Sequence, residues 1–386
     1  MSIRRTLPHL RRLRAIAPFP LPTPISIGFD AIIRTIEPVR SASDYLAPGF
    51  IELQINGGYG VDVMSATAGD LMRLAERLGR EGVSAWLPTV ITAPLGEIER
   101  IDAVVGETME MQTAADRARN GSGASILGTH LEGPFISPRR LGVHAPSTLT
   151  PDAVALKRVL GLRTTRLITL APELDGALSA IRRIAARGIA VSLGHTEASF
   201  AQAVAGVAAG ARMFTHLFNA MPPLHHRAPG AAGAALMRDC RARAAIIADG
   251  VHLDPAIARL AYEARGPQGI VLTTDRVAPA GVSGTRVKSI FGGARTGVTI
   301  RGGAARLPDG TLAGGAIAML DMARRMFPNF RRADLPALAR ITSTNPAATL
   351  WLRDRGKIAL RMRSDFVLLD KEMRLKAVFI GGREVA

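Results

Sequence analysis

The feature that most constrains the fold is an alternation, repeated eight times, of a short apolar run with a segment of helical pattern. Each run is rich in β-branched residues and ends in glycine or a polar residue, and an amphipathic segment rich in alanine and arginine often follows. The runs cover residues 49–58, 83–92, 124–134, 166–173, 189–197, 211–220, 244–253 and 269–278. Eight such units predict an α/β fold, a closed (β/α)₈ barrel of the TIM type. A doubly wound open sheet is the alternative, but it usually has fewer strands, and no GxGxxG turn follows the first run.

Both ends of the chain depart from this alternation. Residues 21–47 and 351–386 read as short strands with turns, which predicts a small β-sandwich domain built from both chain ends around a barrel of residues 48–350. Within the barrel region, the glycine-rich stretch after about residue 283 predicts hairpins, and helical segments follow at 316–327 and 345–352.

The first 20 residues are basic and unlike the rest of the chain. Five arginines occur in the first 14 residues, and no acidic residue precedes Asp30. We expect a disordered or mis-started N-terminus, with a transit peptide as the alternative.

Composition excludes several classes of function. The net charge is +17, but 44 of the 49 basic residues are arginines scattered along the chain, and aromatic residues make up only 4%. The positive charge therefore reflects a general preference for arginine in this chain, and we expect no nucleic-acid partner. A single cysteine, Cys240, excludes an internal disulfide and a cysteine-rich zinc module, and it favours the cytoplasm. No apolar run reaches the roughly 18–20 residues of a membrane span.

Four residues with chemically active side chains stand at the ends of predicted barrel strands, where barrels carry their chemistry. Glu132 ends the third strand, His195 the fifth, His216 the sixth and Asp275 the eighth. The 21 residues from His195 to His216 are one helix-plus-strand unit, so the two rings should converge from neighbouring strands. Two histidines and a carboxylate make a three-ligand zinc site with a fourth position open for water, as a hydrolase needs. Asp275 would then accept a proton from that water.

Three other histidines lie near the predicted site in the sequence. A single histidine is more often a hydrogen-bonded core residue than a ligand, and His130, two residues before Glu132, is expected to pack behind the site. His144 lies in a loop that could reach over the site, and His252 ends the seventh strand. The joint placement of Glu132, His195, His216 and Asp275 is what favours a site.

Six motifs, in order, carry a family resemblance. They are "HLEGPF", "GVHAP", "LGHTEAS", "THLFNAMPPLHHRAPG", "IIADGVHLD" and "TTDRVAPAG". The chain resembles the N-acetylglucosamine-6-phosphate deacetylase family of the amidohydrolase superfamily from about residue 47 to its C-terminus. The resemblance implies a barrel with a small β-sandwich, a homodimer, and metal-dependent hydrolysis of the acetamide of N-acetylglucosamine 6-phosphate to glucosamine 6-phosphate and acetate.

The resemblance also implies roles for individual residues. The metal ligands would be Glu132, His195 and His216. Asp275 would be the general base and later the acid that protonates the leaving amine, and His144 would polarise the acetyl carbonyl. The implied substrate contacts are Val143, His144, Asn219, Ala220, Arg227, Asp249, Gly250, Val251, His252, Leu312, Ala313 and Gly314.

The first strand predicts the number of metals. Many amidohydrolases hold a second metal with an H-x-H pair there, whereas this chain has Gln54 and Asn56 at those positions, and neutral amides are poor ligands for transition metals. We expect one divalent metal per subunit, Zn²⁺ first, with Fe²⁺, Co²⁺ or Mn²⁺ as alternatives. The chain also departs from the family at Arg276, where a small residue is typical, and at Gly315, where serine is common. Strand alternation predicts that Arg276 points away from Asp275.

Three other functions stay open at this point. N-acetylgalactosamine 6-phosphate, which differs at one hydroxyl, is an alternative substrate. Another amidohydrolase, such as a cyclic-amide hydrolase, commonly needs the H-x-H pair and often a lysine on the fourth strand, which has none here. A non-catalytic sugar-phosphate-binding barrel would not need the intact set of four strand-end residues.

Overall fold

The structure is a computed structural model that describes residues 10–18, 21–118, 121, 123–282, 287–291 and 294–386. The strands are β1 (Arg11–Ala17), β2 (Thr23–Phe29), β3 (Ile33–Pro38), β4 (Tyr45–Pro48), β5 (Phe50–Ile55), β6 (Gly57–Gly58), β7 (Val61–Asp62), β8 (Val83–Ile91), β9 (Ser125–Ile126), β10 (Thr129–Glu132), β11 (Thr165–Leu170), β12 (Ala190–Leu193), β13 (Met213–Phe214), β14 (Arg243–Ile246), β15 (Ile270–Leu272), β16 (Val287–Phe291), β17 (Ala294–Arg301), β18 (Ala304–Arg306), β19 (Leu312–Gly315), β20 (Phe366–Leu369), β21 (Leu375–Ile380) and β22 (Arg383–Glu384).

The α-helices are α1 (Ala68–Arg80), α2 (Leu95–Arg117), α3 (Ala153–Leu160), α4 (Ala177–Ala186), α5 (Phe200–Ala209), α6 (Gly230–Leu236), α7 (Pro255–Arg265), α8 (Met319–Met326), α9 (Leu335–Ala339) and α10 (Asn345–Thr349). Short turns of 3₁₀ helix cover Val63–Ser65, Pro267–Gly269 and Arg332–Asp334, and one π turn covers Arg340–Thr344. Across the described ranges, no helix combines the length and the apolar character needed to cross a membrane.

Eight parallel strands form the barrel and confirm the predicted alternation. Their order is β5, β8, β10, β11, β12, β13, β14 and β15, and helices α1 to α7 lie between successive strands along the chain. The last strand returns to the first through a parallel bridge between Ile55 and Arg276. The doubly wound open sheet is therefore wrong.

The barrel interior has an apolar layer and a polar one. Side chains such as Ile51, Leu87 and Val271 pack together in one buried cluster. Elsewhere in the interior, His130 Nε2 lies 2.7 Å from Thr169 Oγ1. The chain of hydrogen bonds continues from Thr169 to Thr215 at 2.7 Å and from Thr215 to Ser192 at 2.5 Å. Burial lowers the pKa of His130 to about 4, so the ring is neutral and serves packing, in line with its expected role.

Strands from both chain ends lie in one separate sheet, in the order β22, β21, β20, β4, β1, β2 and β3. Its apolar core brings Phe29 of β2 against Phe366 and Phe379 of β20 and β21, with ring centroids 4.8 and 5.4 Å apart. The joint contribution of the two chain ends is thus confirmed. The boundaries at residues 20, 47 and 350 stay predictions.

The predicted disorder of residues 1–20 does not hold for residues 11–17. These residues form β1, which pairs along its whole length with β2. Ala15 and Ile16 are buried while Arg11 and Arg12 are exposed, so the arginines lie on the outside of an ordered strand. Residues 1–9, 19 and 20 lie outside the described residues.

The hairpins expected after residue 283 form a four-stranded antiparallel sheet, in the order β16, β17, β18 and β19. Residues 283–286 and 292–293 of this segment lie outside the described residues. β19 runs close beside the end of the last barrel strand, where a Cβ atom on Gly315 would lie 2.0 Å from the carbonyl oxygen of Thr274. Only glycine permits this approach, which accounts for Gly315 in this chain.

Candidate active site

The four strand-end residues meet at the carboxyl-terminal mouth of the barrel. Glu132 is the last residue of β10, His195 and His216 each follow their strands by two residues, and Asp275 follows β15 by three. His195, His216 and Asp275 have φ angles of 48°, 29° and 49°, a left-handed backbone that is costly for residues other than glycine. Such strain concentrates at functional sites because the surrounding structure must hold it in place.

Three of these side chains have the spacing of ligands around one metal. His216 Nε2 lies 3.0 Å from Glu132 Oε1 and 3.1 Å from His195 Nε2, and His195 Nε2 lies 3.3 Å from Glu132 Oε1. Ligands 2.0–2.1 Å from a tetrahedral zinc ion lie about 3.3 Å from one another. The donor set therefore fits a single metal ion.

The hydrogen bond of His195 identifies which of its two ring nitrogens carries a proton. Its Nδ1 lies 2.7 Å from the backbone carbonyl oxygen of Arg140, which can only accept, so Nδ1 carries a proton. Its Nε2 then faces His216 Nε2 and the carboxylate of Glu132. A cation placed among these atoms would be bound by the lone pair of His195 and the carboxylate of Glu132 together.

His144 has the opposite tautomer. Its Nδ1 accepts the backbone N–H of Thr92 at 3.2 Å, and burial, with the nearby His195, lowers its pKa to about 4. The neutral ring therefore carries its proton on Nε2, which lies 3.5 Å from Glu132 Oε2. Glu132, His144 and His195 offer ligand atoms within 4.8 Å of one another. The tautomer nevertheless makes His144 a hydrogen-bond donor, and His216 is the better third ligand.

The two carboxylates of the site each receive an amide hydrogen bond from the first barrel strand. Gln54 Nε2 donates to Glu132 Oε1 at 2.9 Å, and Asn56 Nδ2 donates to Asp275 Oδ1 at 2.7 Å. The sequence pattern indicated that Gln54 and Asn56 are poor metal ligands, but it missed this second task. The sequence did contain a signal for this task, because two amide side chains stand at alternate positions of one strand in a barrel whose other strands end in acids.

The charge states of the two acids differ. Burial acts to raise the pKa of Glu132, but its contacts with His144, His195 and His216 outweigh burial and hold that pKa well below its ordinary value. Burial, followed by the charge of Glu132, raises the pKa of Asp275 to about 8. A cation among the ligands would counter both effects on Asp275 and favour its ionised form.

A cavity of about 230 Å³ opens onto these groups. Most of the predicted substrate contacts line it, namely Val143, His144, Asn219, Ala220, His252, Leu312, Ala313 and Gly314. Asn56, Ile91, Gly142, Ile247 and Thr311 also line it, and sequence reasoning had not assigned them to the substrate.

Four predicted contacts are not part of this lining. Arg227 is exposed on its loop, and Gly250 lines a different cavity, beside α7 and α8. Asp249 is fully buried and accepts hydrogen bonds from the backbone N–H groups of Val251 and His252, both at 2.8 Å. Its other oxygen lies 2.7 Å from His252 Nδ1. The structure therefore shows Asp249 holding the His252 ring that lines the cavity.

Comparison with known proteins places this site in a family. The sequence profile of the amidohydrolase family matches residues 45–385. The chain belongs to the amidohydrolase family. Members of this family are metal-dependent, in agreement with the cluster of Glu132, His195 and His216.

Within the family, several similar proteins are named as deacetylases of amino-sugar phosphates. The chain is 38% identical to N-acetylglucosamine-6-phosphate deacetylase of Bacillus subtilis (strain 168), over 86% of this chain and 82% of that protein. It is 34% identical to N-acetylgalactosamine-6-phosphate deacetylase of Escherichia coli O157:H7, over 92% of each chain. A solved structure of a mutant N-acetyl-D-glucosamine-6-phosphate deacetylase from Mycobacterium smegmatis, in complex with N-acetyl-D-glucosamine 6-phosphate, has a TM-score of 0.84 and 30% identity, covering 98% of this chain and 99% of that one.

Proposed function

We propose that this protein hydrolyses the acetamide of N-acetylglucosamine 6-phosphate and releases glucosamine 6-phosphate and acetate. The observation that supports the proposal is that one small cavity is lined by groups with different chemical roles. His195 presents an acceptor beside His216 and Glu132, His144 presents a donor, and Asp275 supplies a second carboxylate. The similarity to deacetylases over most of the chain supports the substrate class.

Glu132, His195 and His216 would hold one divalent metal, Zn²⁺ first, with Fe²⁺, Co²⁺ or Mn²⁺ as alternatives. When bound there, such a metal activates water and polarises a carbonyl group. His144 Nε2–H donates a hydrogen bond to the acetyl oxygen as negative charge develops on it. Asp275 accepts the proton of the attacking water and delivers it to the departing amine.

The rest of the substrate would be bound by residues around the cavity. Asn219 and Ala220 would contact the phosphate together with Arg227, because a phosphate dianion favours guanidinium and backbone N–H donors. Arg227 lies on an exposed loop outside the cavity lining. We also propose a homodimer, as in the resembled family, and a cytoplasmic location, since a single cysteine suits a reducing compartment.

N-acetylgalactosamine 6-phosphate is the second candidate substrate. The relative from Escherichia coli O157:H7 that is named for this substrate aligns with 92% of this chain and with 92% of its own length. A non-catalytic sugar-phosphate-binding barrel is less favoured, since the four strand-end residues of the site are all present.

Acetate release tests the proposal once the bound metal has been measured. The panel contains both N-acetylhexosamine 6-phosphates and unphosphorylated N-acetylglucosamine, with the Asp275→Asn protein as the blank. We expect turnover of N-acetylglucosamine 6-phosphate with the highest kcat/KM. Faster turnover of the galactosamine compound would reverse the assignment, and binding without acetate release from metal-loaded protein would indicate the non-catalytic barrel.

A further inference from the structure

The backbone of Arg276 joins the first and last strands at the mouth of the barrel. Its carbonyl oxygen accepts the backbone N–H of Asn56 at 2.7 Å and that of Gly57 at 3.0 Å. Parallel bridges connect the same residue to Ile55 on one side and to Gly315 of β19 on the other. One residue next to Asp275 therefore holds together the strand that carries Asn56 and the segment that closes over the cavity.

The side chain of Arg276 is buried and points away from Asp275, as alternation predicted, toward the partly buried Tyr59 and Glu81. Its guanidinium pairs with one carboxylate oxygen of Glu81, and the Tyr59 hydroxyl donates to the other. The guanidinium carbon also lies 5.2 Å from the centre of the Tyr59 ring. Glu81 directly follows α1, so this Arg276 cluster ties the end of the last strand to a helix outside the barrel.

The Arg276 cluster acts on both partners of a catalytic hydrogen bond. Tyr59 lies in the same turn as Asn56, and its backbone N–H donates to Ala280 at 2.6 Å. Asn56 is therefore held through its own N–H by Arg276, while its side chain holds Asp275 Oδ1 at 2.7 Å. Movement of the Arg276 backbone would shift the carboxylate and its donor relative to each other, and misplacement by about 1 Å can cost on the order of 10²-fold in rate.

We infer that Arg276 is a positioning residue for Asp275, acting through Glu81 and Tyr59 on the Asn56–Asp275 hydrogen bond. The inference rests on the proposed function, in which Asp275 is the general base.

Steady-state kinetics of the metal-loaded Arg276→Met protein with N-acetylglucosamine 6-phosphate tests the inference. We expect kcat to fall by about 10-fold or more while KM changes by less than about twofold, because the alignment of the base is altered and the substrate contacts are not. Asn56→Ala should lower kcat by a similar factor, and only its kcat is compared because Asn56 also lines the cavity. The double variant should lose no more than the worse single variant, because both changes act through one hydrogen bond.

A matched control is Arg355→Met, which removes another buried arginine, ion-paired with Asp354 and distant in sequence from the site. It should lower stability and leave kcat near that of the wild type. Three results would overturn the inference: wild-type kcat in Arg276→Met, losses that multiply in the double variant, or an equal loss of kcat in Arg355→Met.

A second measurement needs no turnover. Hydrogen exchange of the Asn56 and Gly57 backbone amides, which donate to Arg276, should accelerate in Arg276→Met but not in Arg355→Met. If Arg276→Met does not fold, Glu81→Gln takes its place in both experiments, with the same expected pattern. If the wild type itself releases no acetate, the proposed function fails, and unchanged exchange at both amides would then refute the positioning role.

Discussion

Replacing Asp275 with asparagine would remove one proton-accepting oxygen and keep the remaining contact of the side chain. Asn56 Nδ2 donates to Asp275 Oδ1 at 2.7 Å, and the amide oxygen of an asparagine can accept the same bond. The new NH₂ group then occupies the position of Oδ2, where it cannot take a proton from water. We expect kcat to fall by roughly 10²- to 10⁴-fold, the usual contribution of general acid–base catalysis. Metal binding should survive, because Glu132, His195 and His216 are unchanged.

The same assignment also predicts how kcat/KM changes with pH. The ionised carboxylate of Asp275 is the form that accepts a proton, so kcat/KM of the wild type should fall as pH drops through the pKa of Asp275. Burial, with the charge of Glu132, raises that pKa to about 8 in the metal-free chain. A bound cation lowers it, so the acid limb of the metal-loaded protein should lie below pH 8. The asparagine variant should lack this limb.

Acetate release and metal content, measured on the same samples, decide the outcome. The control is Asp102→Asn, which alters another buried carboxylate whose oxygens accept the backbone N–H groups of Arg163 and Thr164 at 2.8 and 2.9 Å. It should reduce stability and leave kcat unchanged. A kcat within 10-fold of the wild type in Asp275→Asn would refute the assignment of the base, and loss of the metal would show that Asp275 has a structural role.

Three further predictions concern metal, phosphate and stability. Because Gln54 and Asn56 replace the histidine pair, elemental analysis should find about one metal per chain, and two tightly held metals would contradict this. Arg227→Ala should lower kcat/KM for the phosphorylated sugar by about 10- to 150-fold, the value of a charge-assisted bond, with little effect on the unphosphorylated sugar; equal losses would make Arg227 structural. Burial raises the pKa of Glu52 from 4.5 to about 7, so its contribution to stability is present below pH 4.5 and is lost as pH rises through 7. Glu52→Gln should therefore show a smaller fall in Tm between pH 5 and 8 than the wild type, and an identical fall would count against this reading.

The barrel could be predicted because its evidence is local and repeated. Most barrel strands are buried along their whole length, and helical segments alternate with them along the chain, so the order of elements needs no long-range information. The N-terminal strand β1 was missed because three of its seven residues are arginines. Their long side chains lie outside while Ala15, Ile16 and Ala17 are buried, and pairing with β2 stabilises a strand that composition alone disfavours.

The residue types of the site could be predicted, but which ring nitrogen of each histidine carries the proton could not. The proton position on His195 depends on the carbonyl of Arg140, and that on His144 depends on the N–H of Thr92, 52 residues away. No motif records such contacts, because they depend on where two loops meet the barrel. They nevertheless separate a metal ligand from a hydrogen-bond donor.

The amides at positions 54 and 56 also have an electrostatic consequence. Three acids lie in or directly after barrel strands, the buried Glu52 and Glu132 and the partly buried Asp275. When such acids are ionised, hydrogen-bond donors stabilise their negative charge. Gln54 donates to Glu132, Asn56 donates to Asp275, and the hydroxyl of Thr273 and the backbone N–H of Thr274 donate to Glu52, at 2.5 and 2.9 Å. A histidine donating to either site carboxylate would lose that bond if it became a metal ligand through the same nitrogen. The two amides therefore fix the orientation of Glu132 and Asp275, a task that is compatible with the one-metal site that we propose.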